Sequence, residues 1–255
     1  MRSRYAVPAA VAVLAVAALT GGGAAATADH PAGRSRCPLP AFTSGAHYHP
    51  HIDPARFGPR VTNPWFPLHV GTTYLFTGVK DGAPTVDVVT VTRRTRVVDR
   101  VRTRIVADRL FANGRLLERT SDYYAQDVCG NVWYFGEDTA ELDPHGRPVD
   151  TSGSFHAGID GAEPGVFMPA RPRVGQRFRQ EWYQGEAEDT FVVRDLSAPV
   201  TVPAGHFRHA LRTEESTALE PGVRDVKYYV RGIGEVSEEA ATGPTETLHL
   251  VETIR

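Results

Sequence analysis

Short β-prone runs separated by turn residues follow one another from Gly71 to the C-terminus, and this rhythm restricts the fold more than any other feature. Its clearest instance is the pair Val101 to Ala112 and Arg115 to Tyr124, joined at Asn113-Gly114. Both central residues of a type I′ turn need positive φ, which Asn and Gly tolerate, so this junction predicts a hairpin. Thr72 to Thr77, Val86 to Thr92, Val132 to Phe135, Thr139 to Leu142 and Val149 to Ser154 are further runs. Arg177 to Tyr183, Glu188 to Leu196, Val200 to Val202, Phe207 to Glu214, Val226 to Val230, Gly234 to Glu238 and Thr245 to Ile254 complete the set. They recur at roughly 8–12 residues, and almost none shows a 3.6-residue period. Short turns pair successive strands antiparallel. The expected fold is mainly β: a large curved antiparallel sheet, half-barrel or barrel-like, with little helix. Alternation such as Val101-Arg102-Thr103-Arg104-Ile105 gives each strand one solvated and one packed face. The packed face should gather Trp65, Phe66, Tyr74, Phe76, Tyr124, Trp133, Phe135, Phe178, Trp182, Phe191 and Tyr229, as a solid core or as the wall of a cavity.

The first residues follow other rules. Arg2 and Arg4 precede an apolar run from Ala6 to Leu19, and Ala26-Thr27-Ala28 offers a small-residue cleavage site. Residues 1–28 read as a secretory signal peptide, too short in apolar length to span a bilayer comfortably. The mature chain should start near Asp29, be secreted, and contain no transmembrane segment. Residues 29–59 read as an extended Pro- and His-rich segment, and 60–255 as a single β domain. The balance of 28 Lys+Arg against 30 Asp+Glu lacks the basic excess of a nucleic-acid binder. Only two of the basic residues are lysines, Lys80 and Lys227. Cys37 and Cys129 are an isolated pair in an exported chain, which predicts a disulfide; two separate buried thiols are the other reading.

Several words in the sequence go together. They are Asn63-Pro64-Trp65-Phe66-Pro67-Leu68, Tyr123-Tyr124-Ala125-Gln126-Asp127, and the run from Gly130 through Trp133 to Asp138. Val202-Pro203-Ala204-Gly205-His206-Phe207 and the run from Tyr228 to Val236 complete them. With these the chain resembles a family of uncharacterised secreted proteins and lipoproteins common in actinobacteria. The last two words are also similar to an element of envelope families with curved, lipoprotein-localisation-factor-like half-barrels. The resemblance implies a ligand held by a curved sheet, by analogy of fold.

Two constellations could carry chemistry. His47, His49 and His51 alternate along an extended segment and would share a face, a set suited to Zn or Cu; His30 is a further copper ligand candidate. Acidic and aromatic side chains mix at Asp122, Tyr124, Asp127, Trp133 and Asp138, and again at Trp182, Glu188 and Asp189. These eight residues are the candidate ligand-binding set, with the two hairpins side by side at one cavity mouth. No nucleophile elbow, phosphate loop, dinucleotide fingerprint or zinc-protease motif occurs, so no catalytic residue is assigned and no cofactor is expected. The leading reading is a secreted, non-catalytic protein that binds a small or lipid-like ligand, or a partner, in the concave face of the sheet. Two alternatives stay open, an extracellular hydrolase using paired carboxylates and a His-rich metal-binding protein.

Overall fold

The computed structural model describes residues 37–80, 82–243 and 245–255. The leader reading and His30 fall outside the described residues. Two single-turn 3-10 helices, Gly45–His47 and Pro54–Arg56, precede the strands. The first strands are β1 (Phe57–Gly58), β2 (Thr73–Lys80), β3 (Ala83–Val98), β4 (Val101–Ala112), β5 (Arg115–Asp127) and β6 (Val132–Leu142). Five short ones follow: β7 (Pro148–Asp150), β8 (Phe155–His156), β9 (Glu163–Met168), β10 (Arg177–Arg179) and β11 (Glu181–Trp182). The last are β12 (Thr190–Val202), β13 (Gly205–Ser216), β14 (Arg224–Val230), β15 (Gly234–Thr242) and β16 (Glu246–Ile254).

Local chemistry places the hairpins. Asn113 and Gly114 stand at φ 52° and 75°, and β4 pairs β5 from Ala112↔Arg115 down to Arg104↔Tyr124. β3 runs six residues beyond the expected Thr92, because Arg93 to Val97 keep their side chains in solvent while the backbone pairs with β4. At its far end Asp99 and Arg100 adopt φ 43° and 65°, making a tight turn without glycine.

All pairings are antiparallel, in the order β10-β12-β13-β14-β15-β16-β2-β3-β4-β5-β6-β9-β11. The two ends of this order are one stretch of chain. Arg177–Arg179 pairs with β12, Glu181–Trp182 pairs with β9, and Gln180 lies between them. Gln180 N donates to Asp189 O at 2.9 Å. On the other side Gly165 of β9 lies so near that a Cβ would stand 2.1 Å from the Gln180 carbonyl carbon. The sheet is therefore a nearly closed barrel, which leaves few unpaired edge groups.

The Asn63-to-Leu68 word plugs one end. Asn63 Nδ2 donates to Gly130 O at 2.9 Å, and Asn63 Oδ1 accepts from Trp65 N at 2.9 Å. Tyr74 Oη donates to Pro67 O at 3.1 Å, and Gly232 N to Pro64 O at 2.7 Å. Trp65 and Leu68 are buried by the plug, and Arg231 lies over the indole at 4.9 Å. Of the eleven aromatics expected inside, nine are buried, and Phe66 packs against them half-buried. Trp182 differs: its ring receives Gly45 of the N-terminal segment and the Arg179 guanidinium at 4.8 Å.

Residues 37–58 lie along the outside of the barrel wall. Cys37 and Cys129 form a disulfide. β1 pairs with β5 through Phe57↔Asp127. Tyr48 is 2% exposed and donates to Pro164 O at 3.1 Å.

Candidate functional site

Inside the barrel, next to the plug, lies a cavity of about 300 Å³. The strand registers give it two ends. Beside the plug the wall is apolar: Phe66, Leu68, Tyr74, Tyr124, Phe167 and Ile233. Phe66, Tyr124 and Phe167 pack edge-to-face or tilted with centroids 4.5–5.2 Å apart, and Tyr124 stacks on Tyr134 at 4.9 Å. One inward step away from the plug, three neighbouring strands change character together. Val89 is followed by Asp87 on β3, Val106 by Asp108 on β4, and Tyr124 by Asp122 on β5. Glu137, Glu181, Asp189, Glu215, Glu235 and Glu238 complete a carboxylate belt. Among the described residues, nine acidic side chains line this cavity against one basic one, Lys227.

Lys227 holds one sector. Its Nζ lies 3.1 Å from Glu215 Oε2 and 3.4 Å from Glu238 Oε1, and Gln180 Nε2 donates to Glu215 Oε1 at 3.1 Å. Burial opposes the ammonium, but Glu215, Glu238 and Glu235 around it raise its pKa well above the ordinary lysine value.

Elsewhere the belt is short of donors. Asp122 Oδ1 accepts from Tyr134 Oη at 2.8 Å. Burial nevertheless pushes Asp122 up to about 7, against that hydrogen bond. Burial, followed by the charges of Asp122 and Glu118, pushes Glu137 up to about 9. Burial lifts Glu235 to about 8 and Glu215 to about 7, with Lys227 opposing both. Asp108 and Glu181 are raised well above the carboxylate range, first by burial and then by neighbouring carboxylates. Burial raises Asp87 as well. Asp87 is 5% exposed, and its Oδ1 has no donor. Thr85 Oγ1 and Thr213 Oγ1, two residues along from Asp87 and Glu215, are also buried without partners. A buried polar group that no protein donor matches costs free energy until a donor reaches it.

The eight residues singled out from sequence fall into two groups. Asp122, Tyr124 and Asp189 line the cavity. The other five do not. Asp127 closes the β5–β6 turn, accepting from Cys129 N and Asn131 N at 2.9 Å, Asn131 Nδ2 at 2.7 Å and Trp133 Nε1 at 3.4 Å. Trp133 is buried against Phe57 in the wall, 5.8 Å between centroids. Asp138 faces outward, because Gly136 at φ 135° interrupts the β6 alternation. It pairs with Arg96 Nη1 at 2.7 Å and accepts from Tyr123 Oη. Trp182 stacks under the N-terminal segment, and Glu188 accepts from Gly185 N at 2.9 Å in its own turn.

His47, His49 and His51 are exposed and border a second cavity of about 360 Å³ between the N-terminal segment and the wall. His49 Nδ1 lies 2.9 Å from Glu163 Oε1. Among the described residues, their ring nitrogens do not converge as a ligand set; the one group of three ligand atoms within 4.8 Å is Cys37, Asp127 and Cys129, at the disulfide.

Sequence reading missed Asp87, Asp108, Glu181, Glu215, Glu235, Glu238 and Lys227. The available signal was an acid in the middle of a strand, as in Val86-Asp87-Val88, where Asp is normally depleted.

No protein-family model matches the chain, and no curated protein is similar to it in sequence. Two solved structures align with it. One is a Bacteroides fragilis protein described as exported, with a YmcC-like fold. It covers 76% of this chain and 100% of its own, at a TM-score of 0.45 and 13% identity. The other, from Parabacteroides distasonis and described as a lipoprotein, covers 75% and 99%, at a TM-score of 0.41 and 11% identity.

Proposed function

We propose that this is an exported, non-catalytic binding protein that holds a small amphipathic ligand inside its barrel. The observation that carries the reading is the cavity itself, a space of about 300 Å³ with an aromatic end and a polar end. Its volume lies at the low end of ligand sites, which run to about 300–1,000 Å³. The polar belt disfavours a wholly apolar lipid chain and suits a ligand with one apolar and one charged part. Export is supported by the leader-like first residues and by the Cys37–Cys129 bond, which belongs in an oxidising compartment. Among the described residues no helix is long and apolar enough to cross a membrane.

The test is entry of a small neutral fluorophore, N-phenyl-1-naphthylamine. Saturable fluorescence at one equivalent is expected, and Val89→Trp, which fills the cavity from β3, should abolish it. Equal fluorescence from both proteins, or none from either, would remove the barrel interior as a binding site. Release of a chemically altered ligand would move the assignment to a carboxylate-dependent hydrolase.

A further inference from the structure

We infer that the ligand carries two or more separated ammonium groups joined by an aliphatic chain, a diamine or polyamine laid across the carboxylate belt. This rests on the interior being the ligand site.

Four observations carry the inference. Among the described residues the cavity is lined by nine carboxylates and one cation. Asp87 Oδ1 is a buried acceptor with no donor, on a residue 5% exposed that lines the space. Lys227 already shows how an ammonium is held here, with Nζ between Glu215 and Glu238 at 3.1 and 3.4 Å. Among the described residues, no ion pair holds Asp87, Asp108, Asp122, Glu137 or Glu181. Finally, the belt is spread out. Among the described residues, no three of its carboxylates bring oxygens within 4.8 Å of one another. A single hard metal ion needs six or more oxygens at about 2.3–2.6 Å, and this arrangement does not gather them. Separated carboxylates match separated charges, and the methylenes between those charges have Phe66, Tyr124 and Phe167 to lie against.

The inference also explains how a barrel tolerates such an interior. Each ammonium brings three donors, so one ligand can satisfy several acceptors at once. Replacing a buried acid by its amide removes one acceptor charge without changing the shape of the wall.

The experiment is calorimetric titration of the purified protein at fixed ionic strength. The probes are 1,4-diaminobutane, spermidine and spermine, with butylamine, 1,4-butanediol and Ca²⁺ as controls. Affinity should rise with each added ammonium and exceed butylamine by about tenfold or more. Val89→Trp should abolish binding. Asp87→Asn and Glu181→Gln should each weaken spermidine by about tenfold, far more than they change N-phenyl-1-naphthylamine binding, with circular dichroism and thermal unfolding showing that each variant is folded. Entry of the neutral fluorophore with no amine preference over the diol would overturn the ammonium assignment and leave the binding site standing. Failure of both probes would remove both. Tight Ca²⁺ binding at one equivalent without amine binding would replace the polyamine by a metal ion.

Discussion

Asp127 and Asp122 lie five residues apart on β5, and both are acids in the interior of the protein, yet their surroundings are opposite. Asp127 receives four donors from the turn that follows it, two of them backbone N–H groups, and it is the hub that fixes residues 129–133. Asp122 receives one hydroxyl and faces eight other carboxylates across a cavity. The same contrast holds for the ends of the barrel. Beside Cys129 the protein supplies four donors to one carboxylate, whereas in the cavity carboxylates outnumber the donors that reach them. A buried carboxylate with a full complement of donors is structural. One left short is either a defect or a place kept for something that brings donors with it.

The sharpest way to break the comparison is Asp127→Ala. It strands the Cys129 and Asn131 amides inside the wall and frees the turn that carries the disulfide. A loss of about 3 kcal/mol or more is expected, on the order of 6–12 °C in Tm for a chain of this size. Chemical denaturation is the measurement. A loss below about 1 kcal/mol would show that solvent or other side chains take over those amides, and that Asp127 is no hub.

Next in size is the Cys37→Ser, Cys129→Ser pair. The bond closes a loop of 92 residues, worth up to about 4–5 kcal/mol in chain entropy and commonly about 2–4 in practice. Because the N-terminal segment also buries Tyr48 and pairs β1 with β5, the protein should stay folded while losing stability. The expected signature is selective. Exchange of the Phe57 and Val128 amides, which bond at this end, should speed up, and amides around Asp87 should not change. Equal acceleration at both ends would mean that the two regions are one cooperative unit.

Sequence alone made the hairpin end of this comparison visible and hid the other. Asn113-Gly114 and the Pro203-Ala204-Gly205 turn have local chemistry that needs no tertiary information. Arg93 to Val98 did not read as strand, because Arg and Thr side chains that face only water leave no apolar alternation to detect. β9 was missed too, since Glu163-Pro164-Gly165 has the composition of a turn. Gly165 is needed for another reason, the close approach of the Gln180 backbone. For the site, acids clustered along the chain point to Asp122 and Asp189 together with Asp127, Asp138 and Glu188. The cavity belt is assembled across the sheet, mostly one acid at a time from strands far apart in sequence. Asp87 and Glu215 sit 128 positions apart and line one cavity because β13 and β3 are joined in the sheet through β14, β15, β16 and β2. Polar–aromatic proximity in sequence therefore reported turns and caps as readily as it reported the cavity.

The pH dependence of stability sharpens the contrast, with a sign fixed by the direction of the shifts. Asp122, Glu137, Glu215 and Glu235 have folded-state values of about 7, 9, 7 and 8, above their ordinary 3.8 and 4.5. The native state thus binds more protons than the unfolded chain between about pH 4 and 9, and stability falls as pH rises through that window. Against burial, which would raise it, Asp138 is held below the ordinary value by Tyr123 and Arg96, and Glu214 is held below it by its hydrogen bond from Arg194; both act in the opposite sense in acid. Maximum stability of the ligand-free protein should therefore lie near pH 4–5, with Tm about 5 °C or more lower at pH 9. Saturating spermidine should flatten the fall by supplying cations to the ionised belt. A flat profile without ligand would mean that the carboxylates are hydrated well enough to ionise freely.

The smallest expected effect is the most selective. Asp122→Asn keeps an oxygen that can accept from Tyr134 Oη and removes only the charge. Well below 3.8, the ordinary value, the wild-type Asp122 is protonated in both folded and unfolded chains, so the variant should match it in Tm. As pH rises the unfolded chain ionises first, while the folded group resists until about 7, and the wild type accumulates a penalty the variant does not have. Above pH 7 that penalty is fully developed, and the variant should be more stable by about 2–4 °C, the equivalent of about 1 kcal/mol. Asp127→Asn run beside it should be destabilising at both pH values, because an amide nitrogen cannot accept what both carboxylate oxygens accept there. If Asp122→Asn instead destabilised the protein at pH 8 by as much as Asp127→Asn, the cavity carboxylate would be as structurally committed as the turn one. The division of β5 into a satisfied end and an open one would then collapse.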